Sequence, residues 1–266
     1  MTTDEMLELL QRVAECVINP RFRTLVDDQV DEKHPGDYVT VADREAEAMI
    51  TEVISAAYPD AVIVGEEAAY SDPGIIAHFQ QADHGFTIDP IDGTSNFVRG
   101  DDRHAVMVAE TRDGSVIRSW IWQPRSSRAL VAERGQGLWV NGQRMSGRLP
   151  GYPAFAAGSR RSWSDFDLGE GIHPVRTNSC AGFDYWSVIN GEFDALTYLR
   201  PMPWDHLPGS LMLQEIGGAM YEVNGRLYRP ATDVRTPIVG AVTEELARSL
   251  VVKYDLTRIA LPDRLD

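Results

Sequence analysis

The chain has 266 residues, 43% of them hydrophobic, enough to bury a sizeable core as one large domain or two closely packed halves. No run approaches the roughly 18 apolar residues of a membrane span, and "MTTDEMLELLQRV" lacks the basic-then-apolar order of a secretory signal, so a soluble, cytoplasmic protein with no membrane partner is expected. A net charge of −15 argues against a broad basic surface for nucleic acid, and the two cysteines, Cys16 and Cys180, read as small buried hydrophobes because no disulfide or zinc-site spacing joins them.

From the N-terminus, Met6, Leu9, Leu10, Val13, Cys16 and Val17 share one face of "TDEMLELLQRVAECVIN", and Thr2 with Glu5 fits a capping box, so an amphipathic helix is predicted. After a loop, Ala46, Met49, Ile50, Val53, Ile54 and Ala57 repeat the pattern in a second helix, with Asp43 near its first turn and Pro59 stopping it. "AVIV" and "FTI" read as short strands. "HAVMVAE", "SVIRSWIW", "RALVAERG" and "GLWVNG", separated by turns such as "RDGS" and "GQG", read as successive hairpins of an antiparallel sheet. Beyond about residue 150, strand candidates "VRTNSC", "DALTYL", "AMYEV" and "PIVGAV" alternate with helix candidates near 181–191, 205–217 and 243–254. A packed boundary near Pro150 is expected, without a linker. Trp120, Trp122, Trp139 and Trp186 lie in apolar runs and read as core, and His104 and His206 as structural.

The chemistry concentrates in "FTIDPIDGTSNF", residues 86–97. Asp89 and Asp92 stand at i and i+3. If a strand ends at Asp89 and a helix starts near Gly93, both carboxylates turn into one cleft, with the N–H groups of the helix start beside them. Acids so close repel unless protons or cations intervene, and carboxylates are ligands for hard cations such as Mg²⁺. The spacing does not match an EF-hand loop or a haloacid-dehalogenase nucleophile. Asp-Pro and Asp-Gly are also ordinary turn formers, and the bland alternatives are an acid of a helix's first turn for Asp43 and an N-cap for Asp205.

In combination, "GEE" at 65–67, "DPIDGTSNF" at 89–97, "PWDHLPG" at 203–209 and "EIGG" at 215–218 resemble the inositol monophosphatase family of Mg²⁺-dependent, lithium-sensitive phosphatases. "DYVTVADREAE" at 37–47 and "GQGLWVNG" at 135–142 match further family segments, and the resemblance spans residues 5 to 245. It implies an α/β layered αβαβα sandwich. Residues 1–150 would form an α+β half with an antiparallel sheet and most metal ligands. Residues 151–266 would form an α/β half with a smaller mixed sheet that completes the substrate site, and the protein would be a cytoplasmic homodimer.

Carried over by position, the family's roles give Glu66, Asp89 and the carbonyl of Ile91 to a first Mg²⁺, and Asp89, Asp92 and Asp205 to a second. Glu66 would serve a third through water, and Glu67 would be a neighbour rather than a ligand. Asp43 and Thr94 would orient and help deprotonate the attacking water, while Gly93, Thr94 and Ser95 would hold the phosphate. The implied reaction is in-line attack of water on a small-molecule phosphate monoester, without a phosphoenzyme.

The side chains expected to face the alcohol depart from the family. The inositol-binding acid seven residues before Asp205 falls on Tyr198, and the histidine three before it becomes Met202. Ser179, Ala181, Asp184 and Arg200 complete the candidate substrate set. Loss of the acid removes an acceptor for ring hydroxyls, so histidinol phosphate, sugar phosphates such as fructose 1,6-bisphosphate, and adenosine 3′,5′-bisphosphate are alternatives to inositol phosphate. A glutamate at 198 is expected to raise activity on inositol phosphate. A non-catalytic regulatory protein is the rival reading, opposed by the complete ligand set.

Overall fold

In the computed structural model, which describes residues 1–151, 154–158 and 173–253, the first capping box forms as expected. The Thr2 hydroxyl accepts from Glu5 N at 3.1 Å, and Thr2 N donates to the Glu5 carboxylate at 2.7 Å. They open α1 (Thr3–Val13), which buries Met6, Leu9, Leu10 and Val13. The helix then widens into a π-helical turn, Ala14–Ile18. Such a turn holds more residues than an α turn, so the apolar face slips: Ala14, Val17 and Ile18 are buried, and Cys16 is exposed, contrary to its reading as a buried hydrophobe. Cys180 is buried.

The loop expected before the second helix contains a hairpin, β1 (Val30–His34) with β2 (Asp37–Thr40). Next come α2 (Val41–Ala57), β3 (Val62–Gly65), and two short helices absent from the sequence reading, α3 (Glu66–Ser71) and α4 (Gly74–Gln81). Those helices return the chain so that β3 lies parallel to β4 (His84–Asp92). A parallel pair needs such a crossover, and it makes the sheet mixed at this one pair, correcting the expectation of an all-antiparallel N-terminal sheet. After α5 (Thr94–Val98), β5 (Ala105–Arg112), β6 (Ser115–Gln123), β7 (Arg128–Glu133), β8 (Gly137–Val140) and β9 (Gln143–Arg144) continue antiparallel, giving the order β3-β4-β5-β6-β7-β8-β9.

A second sheet joins β10 (Ala154–Gly158), β11 (His173–Arg176), β12 (Ala195–Tyr198), β13 (Ala219–Glu222) and β14 (Ile238–Ala241) in the order β11-β10-β12-β14-β13. Its first three strands are parallel and its last three antiparallel, the smaller mixed sheet expected. Two helices, α6 (Ala181–Asn190) and α7 (Pro203–Glu215), pack against both sheets, while α1 and α2 cover the seven-stranded sheet and α8 (Glu244–Lys253) the smaller one. Residue 254, the predicted end of the last helix, lies outside the described residues.

This layering explains the unbroken apolar runs, because a strand covered on both faces has no polar side. In β5, Val106 and Val108 join Trp120 in the core under α1 and α2, while Ala105, Met107 and Ala109 join Ile121, Leu207 and Leu211 in the core between the sheets. Trp120 is fully buried, and Trp122 and Trp186 are half-buried. Trp139, expected in the core, is 41% exposed, because β8 has only the two-residue β9 beyond it at the sheet's end. Among the described residues no helix is long and apolar enough to cross a membrane.

Candidate active site

Strand alternation would point Asp89 and Asp92, an odd number of residues apart, to opposite faces. The pairing of β4 with β5 removes the conflict. Asp89 pairs with Met107 and Asp92 with Ala105, three steps on one strand against two on the other. The extra residue is a bulge that resets the phase, so both carboxylates reach one side. Gly93 then turns the chain at φ +83, a conformation that side chains with a Cβ rarely adopt, and caps α5.

The third acid arrives from the other end of the sequence. α7 begins at Pro203 with Met202 as N-cap, and Asp205 occupies its first turn without capping it. Asp89, Asp92 and Asp205 each bring a carboxylate oxygen within 4.8 Å of the others. Asp89 is 1% exposed, and its Oδ1 is buried with no hydrogen-bond partner. Burial, then the charges of Glu66, Asp92 and Asp205, push the Asp89 carboxyl well up. Burial and Asp92 push Asp205 up to about 7. Such a trio cannot ionise fully without a counter-charge, and its all-oxygen donor set suits a hard divalent cation.

Glu66 stands apart from the trio as the first residue of α3. Glu47, on α2, places it by accepting from Glu67 N and Ala68 N, both at 2.9 Å, which caps α3 from a neighbouring helix. This requires glycine at 65, where a β-carbon would lie 2.2 Å from the Glu47 carboxyl carbon. Lys33, at the end of the hairpin's first strand, donates to Glu66 at 3.0 Å and Glu67 at 2.6 Å, with its side chain 4% exposed. Burial raises the Glu66 carboxyl, Lys33 opposes that rise, and Asp205, Glu67 and Asp43 add to it.

Asp43 and Thr94 meet as the resemblance implies. The Thr94 hydroxyl lies 3.1 Å from Asp43 Oδ1 and 2.9 Å from the Ile91 carbonyl, the two acceptors open to its single proton. Asp43 Oδ2 accepts from Thr40 N at 2.9 Å and the Thr40 hydroxyl at 2.5 Å, a second capping box. Asp43 is fully buried, and burial outweighs these bonds, raising its carboxyl to about 7. The Ser95 hydroxyl donates to Gly36 O at 3.2 Å and ties α5 to the hairpin.

The expected substrate residues divide by exposure. Ser179 and Arg200 are exposed. Ala181 is 5% exposed, and its N–H donates to Asp92. Asp184 is 1% exposed and accepts from Asn178 N at 2.7 Å, Asn178 Nδ2 at 2.8 Å and the Tyr198 hydroxyl at 2.6 Å. Tyr198 in turn lies against the His206 ring, with centroids 4.1 Å apart. His206 Nδ1 is 3.0 Å from the Tyr185 hydroxyl, and burial pushes this imidazole down to about 3. His104, between Phe22 and Phe97, is pushed down to about 4 by burial, so both histidines are neutral and structural at neutral pH. Three residues around these acids carried no mark in the sequence reading: Lys33, Glu47 and, as a partner of Asp92, Cys180.

Comparison with known proteins gives the family and the fold. The sequence matches the profile of the inositol monophosphatase family over residues 2–255. It is 32% identical to the fructose-1,6-bisphosphatase/inositol-1-monophosphatase of Thermotoga maritima, covering 71% of this chain and 73% of the relative. It is 31% identical to the Nus factor SuhB of Pseudomonas aeruginosa, covering 74% and 76%. Among solved structures, the Thermotoga maritima IMPase superposes with TM-score 0.78 at 25% identity, covering 94% of this chain and 96% of that one. An IMPase/NADP phosphatase complexed with Mg²⁺ and phosphate shares the fold at TM-score 0.75 and 20% identity, covering 94% and 96%.

Proposed function

The chain belongs to the inositol monophosphatase family, and from that premise we propose that it is a cytoplasmic, homodimeric, Mg²⁺-dependent hydrolase of a small-molecule phosphate monoester. One observation carries the reading: an unpartnered buried oxygen of Asp89 within a trio of carboxylates, next to the Thr94–Asp43 pair. Glu66, Asp89, the Ile91 carbonyl, Asp92 and Asp205 would hold two or three Mg²⁺. Bound there, Mg²⁺ supplies neutralising charge for the phosphoryl group, a lowered pKa for water and stabilisation of the leaving alkoxide.

The chain's own residues bind and move the proton. Gly93, Thr94 and Ser95, at the start of α5, offer donors to the phosphate oxygens. The attacking water gives its proton to Thr94 Oγ1, and Thr94 passes its own to Asp43 Oδ1, 3.1 Å away. With its carboxyl near 7, Asp43 is matched to that task at neutral pH. On the alcohol side, Ser179 and Arg200 are open to a substrate. The Tyr198 hydroxyl donates its hydrogen bond to Asp184 and keeps only an acceptor for the ligand, and Asp184 acts through Tyr198. Residues 1–150 would supply most metal ligands, and 151–266 Asp205 and the alcohol-facing wall.

The test is phosphate release, with and without Mg²⁺, from inositol 1-phosphate, histidinol phosphate, fructose 1,6-bisphosphate, adenosine 3′,5′-bisphosphate and an aryl phosphate. Mg²⁺-dependent release, inhibited by tens of millimolar Li⁺ (~, at a hard-cation site) and abolished by Asp89→Asn, is the expected result. Likeness to a relative named a Nus factor favours one second reading, a regulatory role. Under it no compound in the panel is hydrolysed, and Asp89→Asn leaves the function intact.

A further inference from the structure

Asp92 is held more tightly than the other acids of its trio. Its Oδ1 accepts the Ala181 N–H at 2.9 Å, and its Oδ2 accepts the Gly182 N–H at 2.6 Å and the Cys180 thiol at 2.9 Å, the nearer of the two acceptors open to the thiol's single proton, the other being the Asp92 carbonyl at 3.5 Å. Those amides are the first two of α6, whose N-cap residue, Cys180, supplies no side-chain cap. Asp92 therefore provides, from β4, the acceptor that a local serine or aspartate would provide. Each carboxylate oxygen has two lone-pair sites. The two donors at Oδ2 fill both of its sites, and Oδ1 keeps one.

The three donors hold Asp92 in this orientation, and glycine at two positions lets the elements come this close: a β-carbon at Gly182 would lie 3.1 Å from Oδ2, and one at Gly93 only 3.0 Å from Cys180 Cβ. In the same trio, Asp89 presents its buried, unpartnered Oδ1, an independent sign that a cation belongs here. Ca²⁺ takes six to eight oxygens and accepts two-oxygen carboxylate coordination, whereas Mg²⁺ requires six in near-ideal octahedral geometry.

We propose that Cys180 sets the cation preference of the site: its thiol occupies the last lone pair of Asp92 Oδ2, limits Asp92 to one-oxygen coordination through Oδ1, and so favours Mg²⁺ over Ca²⁺. The inference rests on the proposed function only for the identity of the metal.

Calorimetric titration of the cation-free full-length chain with Mg²⁺ and with Ca²⁺ tests it. In Cys180→Ala the ratio of the Ca²⁺ to the Mg²⁺ dissociation constant should fall about three- to tenfold, through tighter Ca²⁺ binding, the range set by loss of one hydrogen bond. Cys180→Ser keeps a donor on the same carbon and should stay within about twofold of wild type. Cys180→Val fills the space without a donor and should behave as the alanine variant, which covers a failure of the latter to fold. A purely structural role weakens both cations alike. An unchanged ratio in Ala and Val, or an equal change in Ser, overturns the assignment. Phosphate release by the wild type with Mg²⁺ is read on the same samples. An active enzyme with an unchanged ratio overturns the role of Cys180 alone. The expected ratios without hydrolysis overturn the proposed function alone, and a wild type that binds neither cation overturns both.

Discussion

Tyr198→Phe should destabilise the cation-free protein far more in mild alkali than in mild acid. The buried Asp184 carboxyl is raised by burial from 3.8 to about 6, although Asn178 and Tyr198 both donate to its ionised form. A group whose folded value exceeds its unfolded one stabilises the fold below the unfolded value and loses that contribution as pH rises through the folded one, here from about 4 to about 6. Removing the Tyr198 hydroxyl strips a 2.6 Å bond from an acceptor that is 1% exposed, where water cannot replace it. Hydrogen bonds to charged groups contribute about 1.5–3 kcal/mol and neutral ones about 0.5–1.5 kcal/mol. Loss of the bond therefore lifts the Asp184 carboxyl by roughly one further unit, since one unit is about 1.4 kcal/mol. The variant's penalty should accordingly grow by about 1–1.5 kcal/mol between pH 5 and pH 8.5. The phenylalanine ring retains the contact with His206, so packing does not enter the difference. Urea midpoints of variant and wild type at the two pH values, in metal-free buffer, give the numbers. Equal penalties at both would refute the reasoning, as would the same pH dependence in an Asp184→Asn background, where no carboxylate remains to be stranded.

Three further outcomes are expected. Asp43→Asn should lower kcat by about 10²–10⁴. It should also remove an acidic limb of the kcat/KM profile that lies no higher than pH about 7, because activity falls as Asp43 is protonated; a limb that survives the substitution contradicts the proton path. Gly65→Ala should cost about 2–4 kcal/mol by forcing the Glu47 carboxylate off the two amides of α3, and calorimetric Mg²⁺ affinity should fall with it because Glu66 loses its seat. The gain expected for Tyr198→Glu on inositol 1-phosphate needs revision, since the new carboxylate would point toward the buried Asp184 carboxyl and take away the hydroxyl that now donates to it. The double variant Tyr198→Glu with Asp184→Asn should show the higher kcat/KM, and a single variant that matches it would mean that Asp184 does not oppose the new acid.

The central acid pair was legible because it is local: "DPIDGT" places two acids and a hydroxyl within six residues, whereas Glu66 and Asp205 entered only through the resemblance. The bulge that turns Asp89 and Asp92 to one side was not, because it exists only in the register with β5. Lys33 and Cys180 escaped for a similar reason, since the carboxylates they touch lie 33 and 34 residues away for Lys33 and 88 for Cys180. Glu47 did leave a signal. It follows Asp43 by one helical turn, and two acids on the apolar face of an amphipathic helix need partners that a solvated face would not. The structural and functional readings of these acids also prove not to be rivals. Asp43 closes the capping box of α2 and accepts from Thr94, Glu47 caps α3 and seats Glu66, and Asp92 receives the first amides of α6. A helix start offers unpaired N–H groups and the positive end of a dipole. Several helix starts arranged around one acidic cluster can therefore hold mutually repelling carboxylates in place without a cation, so the bland role of each acid supports the chemical role proposed for it.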